Sequence, residues 1–178
     1  MLAVRPEPVN VHSPGLAPMP PRACLKCMNA TPSIAEQIAA VHSRQDIAAW
    51  ALARLGLPPE WRDTNEPGNT QRCQEAVDRL FSLSRSDIEA DLAARGIMPE
   101  QLPHVETQPG SHDGAYFVPR AGRGWDYYYQ ERGMTWCSVG FDDLEEARRL
   151  ILNDYLPVWL RRLHVPARTR DGRRITRM

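Results

Sequence analysis

The most chemically suggestive spacing in this 178-residue chain is a pair of cysteines, Cys24 and Cys27, separated by two residues. Two thiolates at this spacing are typical of one half of a structural zinc site, which needs four ligands. The other two cysteines and the five histidines stand at no ligand spacing. We therefore predict no metal site, and thiols that stay reduced as they do in the cytoplasm.

Motifs of known enzymes are missing from the sequence. It contains no nucleophile elbow, no phosphate-binding glycine loop and no His-Glu-x-x-His zinc motif. His112 and Asp113 are adjacent between Gly110 and Gly114, a composition more typical of a polar turn than of a catalytic dyad. The sequence therefore predicts a protein that is not an enzyme, with no catalytic residue and no cofactor.

Four carboxylates lie within five residues, at Asp142, Asp143, Glu145 and Glu146. Acidic residues favour the first turn of a helix, and Asp142 followed by Glu145 has the spacing of a capping box. We therefore predict that Asp142 caps the last long helix. The same four charges could also form a docking patch for a basic partner, and the two roles are compatible.

Aromatic residues form a second cluster, comprising Trp125, Tyr127, Tyr128, Tyr129 and Trp136. Alternate residues of a strand face opposite sides of a sheet, so Tyr127 and Tyr129 share a packed face with Trp125, and Tyr128 is predicted to be exposed. An exposed tyrosine flanked by acids is typical of an interface. The predicted partner-binding residues are Tyr128, Glu131, Arg132, Asp142, Asp143, Glu145 and Glu146.

The N-terminal half has the apolar periodicity of helices. It predicts a helix over 32–43 capped by Thr31, a second from Ile47 to Leu55 ended by Gly56, and a third on the stripe that contains Cys73 and Val77. A fourth helix is predicted over 86–95 with a capping box. That box pairs Ser86 with Glu89.

Beyond residue 105 the pattern changes to that of strands, at 115–118, 125–131 and 135–139, with a turn at 131–134 and a helix after residue 142. The predicted fold class is α+β, with a helical N-terminal half and a small antiparallel β-meander packed against a C-terminal helix.

Composition and charge suggest the organisation of the chain. Residues 1–30 are rich in proline and predict a disordered arm, with Met28 as an alternative start of translation; residues 31–164 predict one globular domain. The formal charges balance, but residues 161–178 hold seven arginines and one aspartate, so 165–178 is interpreted as a basic tail. No export signal and no membrane-spanning stretch occur, which predicts a cytoplasmic protein.

One stretch resembles a known family. Gly124-Trp-Asp-Tyr-Tyr-Tyr-Gln-Glu-Arg-Gly133, followed by Phe141-Asp-Asp-Leu-Glu-Glu-Ala147 and a helix, is similar to small immunity proteins of bacterial polymorphic-toxin systems. The preceding segment around Leu92–Ile97 and Ala115-Tyr116 resembles that family's opening helix and first strand. The resemblance covers about residues 86–160.

The resemblance implies a cytoplasmic protein that binds a cognate toxin domain and neutralises it by occluding its active site. A regulatory or nucleic-acid-binding module that uses the arginine-rich tail as a phosphate-binding arm is the alternative. An enzyme ranks third because no nucleophile, base or metal set is spaced for catalysis.

Overall fold

The computed structural model describes residues 31–63 and 65–178. The proline-rich segment 1–30, with Cys24 and Cys27, lies outside the described residues. The helices and strands are α1 (Ile34–His42), α2 (Ile47–Leu55), α3 (Asn69–Leu80), α4 (Arg85–Ala94), β1 (Val105–Glu106), β2 (Gly114–Pro119), β3 (Trp125–Glu131), β4 (Met134–Phe141), α5 (Leu144–Tyr155), β5 (Ala167–Arg168) and β6 (Arg174–Ile175). Short 3₁₀ turns occupy Pro59–Arg62, Pro99–Gln101 and Val158–Leu163.

The predicted α+β class is confirmed: four helices precede a four-stranded mixed sheet, and α5 follows it. The antiparallel meander β2–β3–β4 matches the predicted strands. Two pieces of β-structure were not predicted. β1 pairs in parallel with β2 at the sheet edge, and β5 and β6 form a separate two-stranded hairpin.

The predicted cap of α1 is wrong. Ser33, rather than Thr31, caps the helix, and its hydroxyl accepts a hydrogen bond from the backbone N–H of Glu36. The Glu36 carboxylate in turn accepts from the N–H of Ser33 at 2.8 Å. This reciprocal capping box satisfies two backbone donors at once, whereas a cap at Thr31 would have no acidic partner three residues later.

The predicted cap of α4 is wrong as well, and here the true cap lies two residues earlier in the chain. Ser84, rather than Ser86, caps the helix, and its partner is Asp87. Leu83 and Ile88, which flank this box, are both fully buried. They occupy the two positions of a hydrophobic staple, so burial of this pair decides which serine caps the helix.

The core is continuous from the helical half to the sheet. Buried side chains of α1–α4, such as Ile47 and Ile88, belong to the same cluster as Tyr127 and Phe141 of the sheet and Ile151 of α5. Because α5 packs on β3 and β4 and its side chains hydrogen-bond to α1 and α4, it lies between the two halves. The sheet therefore has one face packed against α5.

The segment predicted as a basic tail folds onto the body. Asn153 of α5 is fully buried, and its side chain bonds the N–H and the carbonyl of Val165 at 3.1 and 2.7 Å. Arg85 of α4 donates to the Asn153 Oδ1 atom at 2.6 Å. This buried polar cluster fixes the start of the C-terminal hairpin against two helices.

Among the helices that the structure describes, none is long and apolar enough to cross a membrane.

Candidate functional site

The acidic stretch begins α5, but the predicted capping residue is wrong by one position. Asp143 caps the helix, and its carboxylate accepts a hydrogen bond from the N–H of Glu145 at 2.9 Å. The carboxylate of Asp142 is engaged elsewhere, because it accepts from Nε of Arg170 at 2.8 Å. The sequence pattern could not distinguish two adjacent aspartates whose roles depend on a distant arginine.

Substitution of Asp143 tests directly whether this residue caps α5. Asp143→Ala should lower the free energy of unfolding by about 1 kcal/mol, because one backbone N–H loses its acceptor and the helix dipole loses a charge. Asp143→Asn, which keeps an acceptor oxygen, should cost only a few tenths of that amount. Urea denaturation measures both, and equal losses would show that Asp143 does not cap α5.

The other acids of this stretch are paired within the chain. Glu145 bonds Arg148 at 2.7 Å, and Glu146 bonds Arg149 at 2.6 Å. Glu146 also accepts from the N–H of Arg168 at 2.7 Å. Three of the four carboxylates therefore lie beside an arginine, which reduces the negative field that this stretch can present to a partner.

The hairpin β3–β4 is closed by the predicted turn. Glu131 pairs with Met134, and the two residues between them, Arg132 and Gly133, have φ values of 51° and 75°. Positive φ at both central positions is the geometry of the type I′ turn that suits a twisted hairpin. The N–H of Arg132 donates to the Asp113 carboxylate at 2.7 Å, which anchors the turn to the segment before β2.

The exposed tyrosine is not the predicted one. Tyr128 is half-buried, and its ring stacks on that of Tyr116 with centroids 5.2 Å apart. Tyr127 is buried as predicted, but Tyr129 on the same face is 42% exposed. On this face of β3, burial thus ends between Tyr127 and Tyr129.

The predicted binding residues therefore fall into two groups. Tyr128, Glu131 and Arg132 lie toward the turn of the hairpin, and the acids lie beyond the opposite end of β4. Seven residue steps along β4 at about 3.3 Å each place the two ends about 23 Å apart. The structure does not bring them together in one patch.

Exposed apolar side chains lie at the turn end instead. We call Tyr129, Met134 and Trp136 the hairpin patch; the latter two are 57% and 50% exposed. Trp136 is the cross-strand neighbour of Tyr129, and Met134 lies two residues before it, so all three side chains share one face. The sequence signal for this patch was the position of the predicted turn, because the turn sets the register of the hairpin and places Trp136 opposite Tyr129.

The outer edge of β4 is open beside this patch. All residues from Met134 to Ser138 are exposed, and no described strand pairs with this edge. Glu131 and Met134 flank a two-residue turn as a hydrogen-bonded pair, so the N–H and C=O of Thr135 point away from β3. A bulge follows, in which Cys137 has a φ of 50°.

The C-terminal hairpin covers the far end of the same strand. The N–H of Arg170 donates to the carbonyl of Gly140 at 2.7 Å, and its guanidinium reaches Asp142 and the carbonyl of Phe141. A Cβ atom at Gly140 would lie 2.4 Å from this guanidinium. Glycine at this position thus admits Arg170, which closes one end of the β4 edge and leaves the other open.

A pocket of about 430 Å³ lies on the face of the sheet that packs against α5. We call it the tyrosine pocket; its lining includes Ala115, Tyr127, Tyr129, Cys137, His104 and Asp154. Burial raises the pKa of Asp154 above its ordinary value, and burial together with Asp154 raises the pKa of Tyr127. Arg177 lies 3.9 Å from the Asp154 carboxylate.

His104 also lines this pocket, and its imidazole ring lacks regular hydrogen bonds. Neither ring nitrogen makes a hydrogen bond of regular geometry within the described part of the chain, although the backbone of Ile151 favours its protonated form. Burial, with the positive charge of Arg44, lowers the pKa of the imidazole to about 4. The ring is therefore neutral near pH 7.

Cys137, His104 and Asp154 are residue types of a nucleophile, a base and an orienting acid. Since the His104 ring makes no regular hydrogen bond, the three do not form a linked triad in this arrangement. Among the described residues, no group of three histidines, cysteines or acids could hold a metal ion.

Similarity to known proteins adds nothing to this geometry. The chain matches no protein-family model, no curated protein and no solved structure.

Proposed function

We propose that this protein acts by binding another protein, and that it neutralises a bacterial toxin by covering the toxin's active site, as its resemblance to immunity proteins implies. The observation that carries the proposal is the open outer edge of β4 with the hairpin patch beside it. Inhibition of this kind needs no reacting group in the inhibitor. It needs only a surface that binds tightly and excludes substrate.

The open edge favours a partner that adds a strand. Unpaired backbone N–H and C=O groups along an exposed edge are a ready template for another chain, and flanking side chains supply specificity. Trp136 and Tyr129 are aromatic residues of the type that carries most binding energy in interfaces. We therefore propose that an extended segment of the toxin pairs with residues 134–138 while its apolar side chains cover the hairpin patch.

The turn residues predicted from the sequence fit this surface. Glu131 and Arg132 are exposed at the tip of the hairpin, where they would form the polar rim of the interface. The acids Asp142, Asp143, Glu145 and Glu146 are about one strand length away, and we propose that they contribute to the rate of association rather than to the buried contact.

Truncation of Trp136, the aromatic residue of the hairpin patch on β4, tests whether this surface binds the toxin. Trp136→Ala should weaken binding of the toxin domain by about 2 kcal/mol, or about 30-fold in Kd, because a half-exposed ring loses its contact on the partner. The matched control is Val158→Ala, which alters an apolar residue that is 43% exposed on another part of the molecule. Isothermal titration with the toxin domain encoded by the neighbouring gene measures both.

Strand addition has a separate test. Thr135→Pro removes an N–H that points away from β3, so the hairpin ladder is kept while the edge loses a donor. We expect this variant to bind at least 10-fold more weakly and to lose protection when it is co-expressed with the toxin in a sensitive host. Wild-type protein that gives no protection would overturn the proposed immunity function. Undiminished toxin binding by both Trp136→Ala and Thr135→Pro would show that the β4 edge and the hairpin patch are not the binding surface.

A second candidate function rests on the C-terminal hairpin. Arg168 and Arg174 are cross-strand partners, and they line a shallow hollow of about 260 Å³ together with the ion pair of Arg149 and Glu146. Like charges placed directly opposite each other destabilise a strand pair, so an anionic ligand such as a nucleic-acid phosphate would relieve the repulsion. Salt-dependent binding of duplex DNA or RNA that is lost in Arg168→Ser/Arg174→Ser would favour this candidate.

A further inference from the structure

The regular part of the β4 edge lacks the features that usually keep strand edges of separate molecules apart. Soluble proteins protect such edges with charged side chains, with proline or with a bulge that bends the strand. From Met134 to Gly140 the sequence contains no charged residue and no proline. A bulge is present, but it follows Trp136 and leaves the exposed segment before it in regular pairing with β3. This short segment is therefore open to a further strand.

The backbone of this segment suits a second copy of itself. Two identical edge strands pair in antiparallel orientation about a two-fold axis. Because the N–H and C=O of Thr135 point away from β3, an axis between the two copies of Thr135 lets them exchange two hydrogen bonds. An axis at Trp136 would instead require the outward groups of Cys137, whose φ of 50° takes it out of regular strand geometry. The two-fold register centred on Thr135 is therefore the favoured one.

In this register the hairpin patch is self-complementary. Trp136 lies directly opposite Met134 of the second copy, in a pair without hydrogen bonds whose Cα atoms are about 4.5 Å apart. The two-fold axis repeats this contact between sulfur and aromatic ring, which is favourable. Directly opposed side chains lie on the same face, so the two patches, each with its Tyr129, join into one apolar surface.

Charge and size of the contact set its strength. The formal net charge of the chain is zero at pH 7, so no long-range repulsion keeps two copies apart. The cross-strand neighbour of Thr135 on β3 is the uncharged Gln130. The contact is confined to the residues between the turn and the bulge, which is less than the about 800 Å² per partner of a standard stable interface. A weak dimer, with a Kd on the order of 10 µM, is therefore expected.

From this geometry we infer that a second copy of this chain covers the β4 edge, by antiparallel pairing of β4 with β4 about a two-fold axis at Thr135. The pairing joins two four-stranded sheets into one continuous sheet. The dimer does not depend on a toxin, although it occupies the same edge. Where the proposed function holds, and only there, the toxin strand has to displace the second copy.

Charges placed on the axis test both the dimer and its register. Thr135→Glu and Thr135→Lys each set two like charges directly opposite each other, whereas an equimolar mixture of the two variants sets opposite charges there. Sedimentation equilibrium of the full chain at pH 7 and low salt, with a phosphine reductant to exclude disulfides, measures the dimer. Each variant alone should dimerise at least 10-fold more weakly than wild type, and the mixture should recover wild-type affinity within about three-fold.

The mixture also controls for folding, because a misfolded variant would not be rescued by another variant. Val158→Glu and Val158→Lys, which place the same charges at an exposed apolar position away from the edge, should dimerise like wild type. Wild-type protein that stays monomeric at 500 µM would overturn the inference. A mixture of the Thr135 variants that dimerises no better than either alone would overturn it as well. Both results would leave toxin binding untouched, since protection by the wild-type protein tests that function separately.

Discussion

Gly124→Ala should lower the free energy of unfolding by more than about 3 kcal/mol, which is a large part of the stability of a domain of this size. Gly124 has a φ of 88°, a conformation that costs an alanine about 1–2 kcal/mol. In addition, a Cβ atom here would lie 2.2 Å from the backbone carbonyl oxygen of Phe141. This neighbour is backbone of the paired strand, so β3 and β4 would have to separate locally.

A nearby glycine provides the matched control. Gly122 has a similar φ of 96°, but a Cβ atom there would have no neighbour within 4 Å. Gly122→Ala should therefore cost only the conformational part, about 1–2 kcal/mol. Urea denaturation of the two variants isolates the steric part, and equal losses would show that the close approach of Gly124 to Phe141 contributes nothing.

The close approach at Gly124 belongs to the packing around Arg170. The guanidinium of Arg170 lies near the carbonyls of Trp125 and Phe141, at 3.5 and 3.2 Å, as well as Asp142 and Asp126. A side chain at Gly140 would occupy the same space. The glycines at 124 and 140 thus allow a basic residue from the C-terminal hairpin to hold the end of the meander.

Local patterns in the sequence account for most of the fold. Gly56 ends α2 in the left-handed conformation as predicted, and the apolar stripe through Cys73 and Val77 lies buried on α3. Arg132-Gly133 forms the predicted turn. Each of these features depends on residues within a few positions of one another, which is why periodicity and turn chemistry suffice to predict them.

Features that depend on distant residues could not be predicted in this way. The choice of Asp143 over Asp142 as the cap follows from an ion pair with Arg170, 28 residues later. β1 is two residues long and is defined only by its pairing with β2. The exposure of Tyr129 depends on how far the core extends along the hairpin: Tyr127 belongs to the core, and Tyr129 does not.

The candidate site divides in the same way between local features, which the sequence predicts, and features that depend on distant residues, which it does not. Sequence reasoning selected the aromatic hairpin, but it assigned the exposed face to Tyr128 and joined the hairpin to an acidic stretch that lies at the other end of β4. The tyrosine pocket was not predicted, because His104, Tyr127 and Asp154 are widely separated in sequence and none of them belongs to a recognisable motif. Only the packing of α5 and the chain end against the sheet brings them together.

A second substitution with a large expected effect on stability concerns Gln37, whose polar side chain connects α1 to the rest of the core. Gln37 is completely buried, and its Oε1 atom accepts hydrogen bonds from the backbone N–H groups of Ser82 and Leu83 at 2.8 and 3.0 Å. Its amide group donates to the carbonyl of Pro32 at 2.8 Å. One side chain thus satisfies the backbone at the α3–α4 connection and at the start of α1.

Gln37→Leu should therefore lower the free energy of unfolding by about 3 kcal/mol. Leucine has nearly the same volume, so the loss comes from backbone donors and an acceptor left without partners rather than from a cavity. The matched control is Gln71→Leu: Gln71 is exposed on α3 and bonds only Glu75 among the described residues, so this change should alter stability by less than about 0.5 kcal/mol. Urea denaturation compares the two variants. Similar small losses would mean that Ser82 and Leu83 find other acceptors and that α1 is held by apolar packing alone.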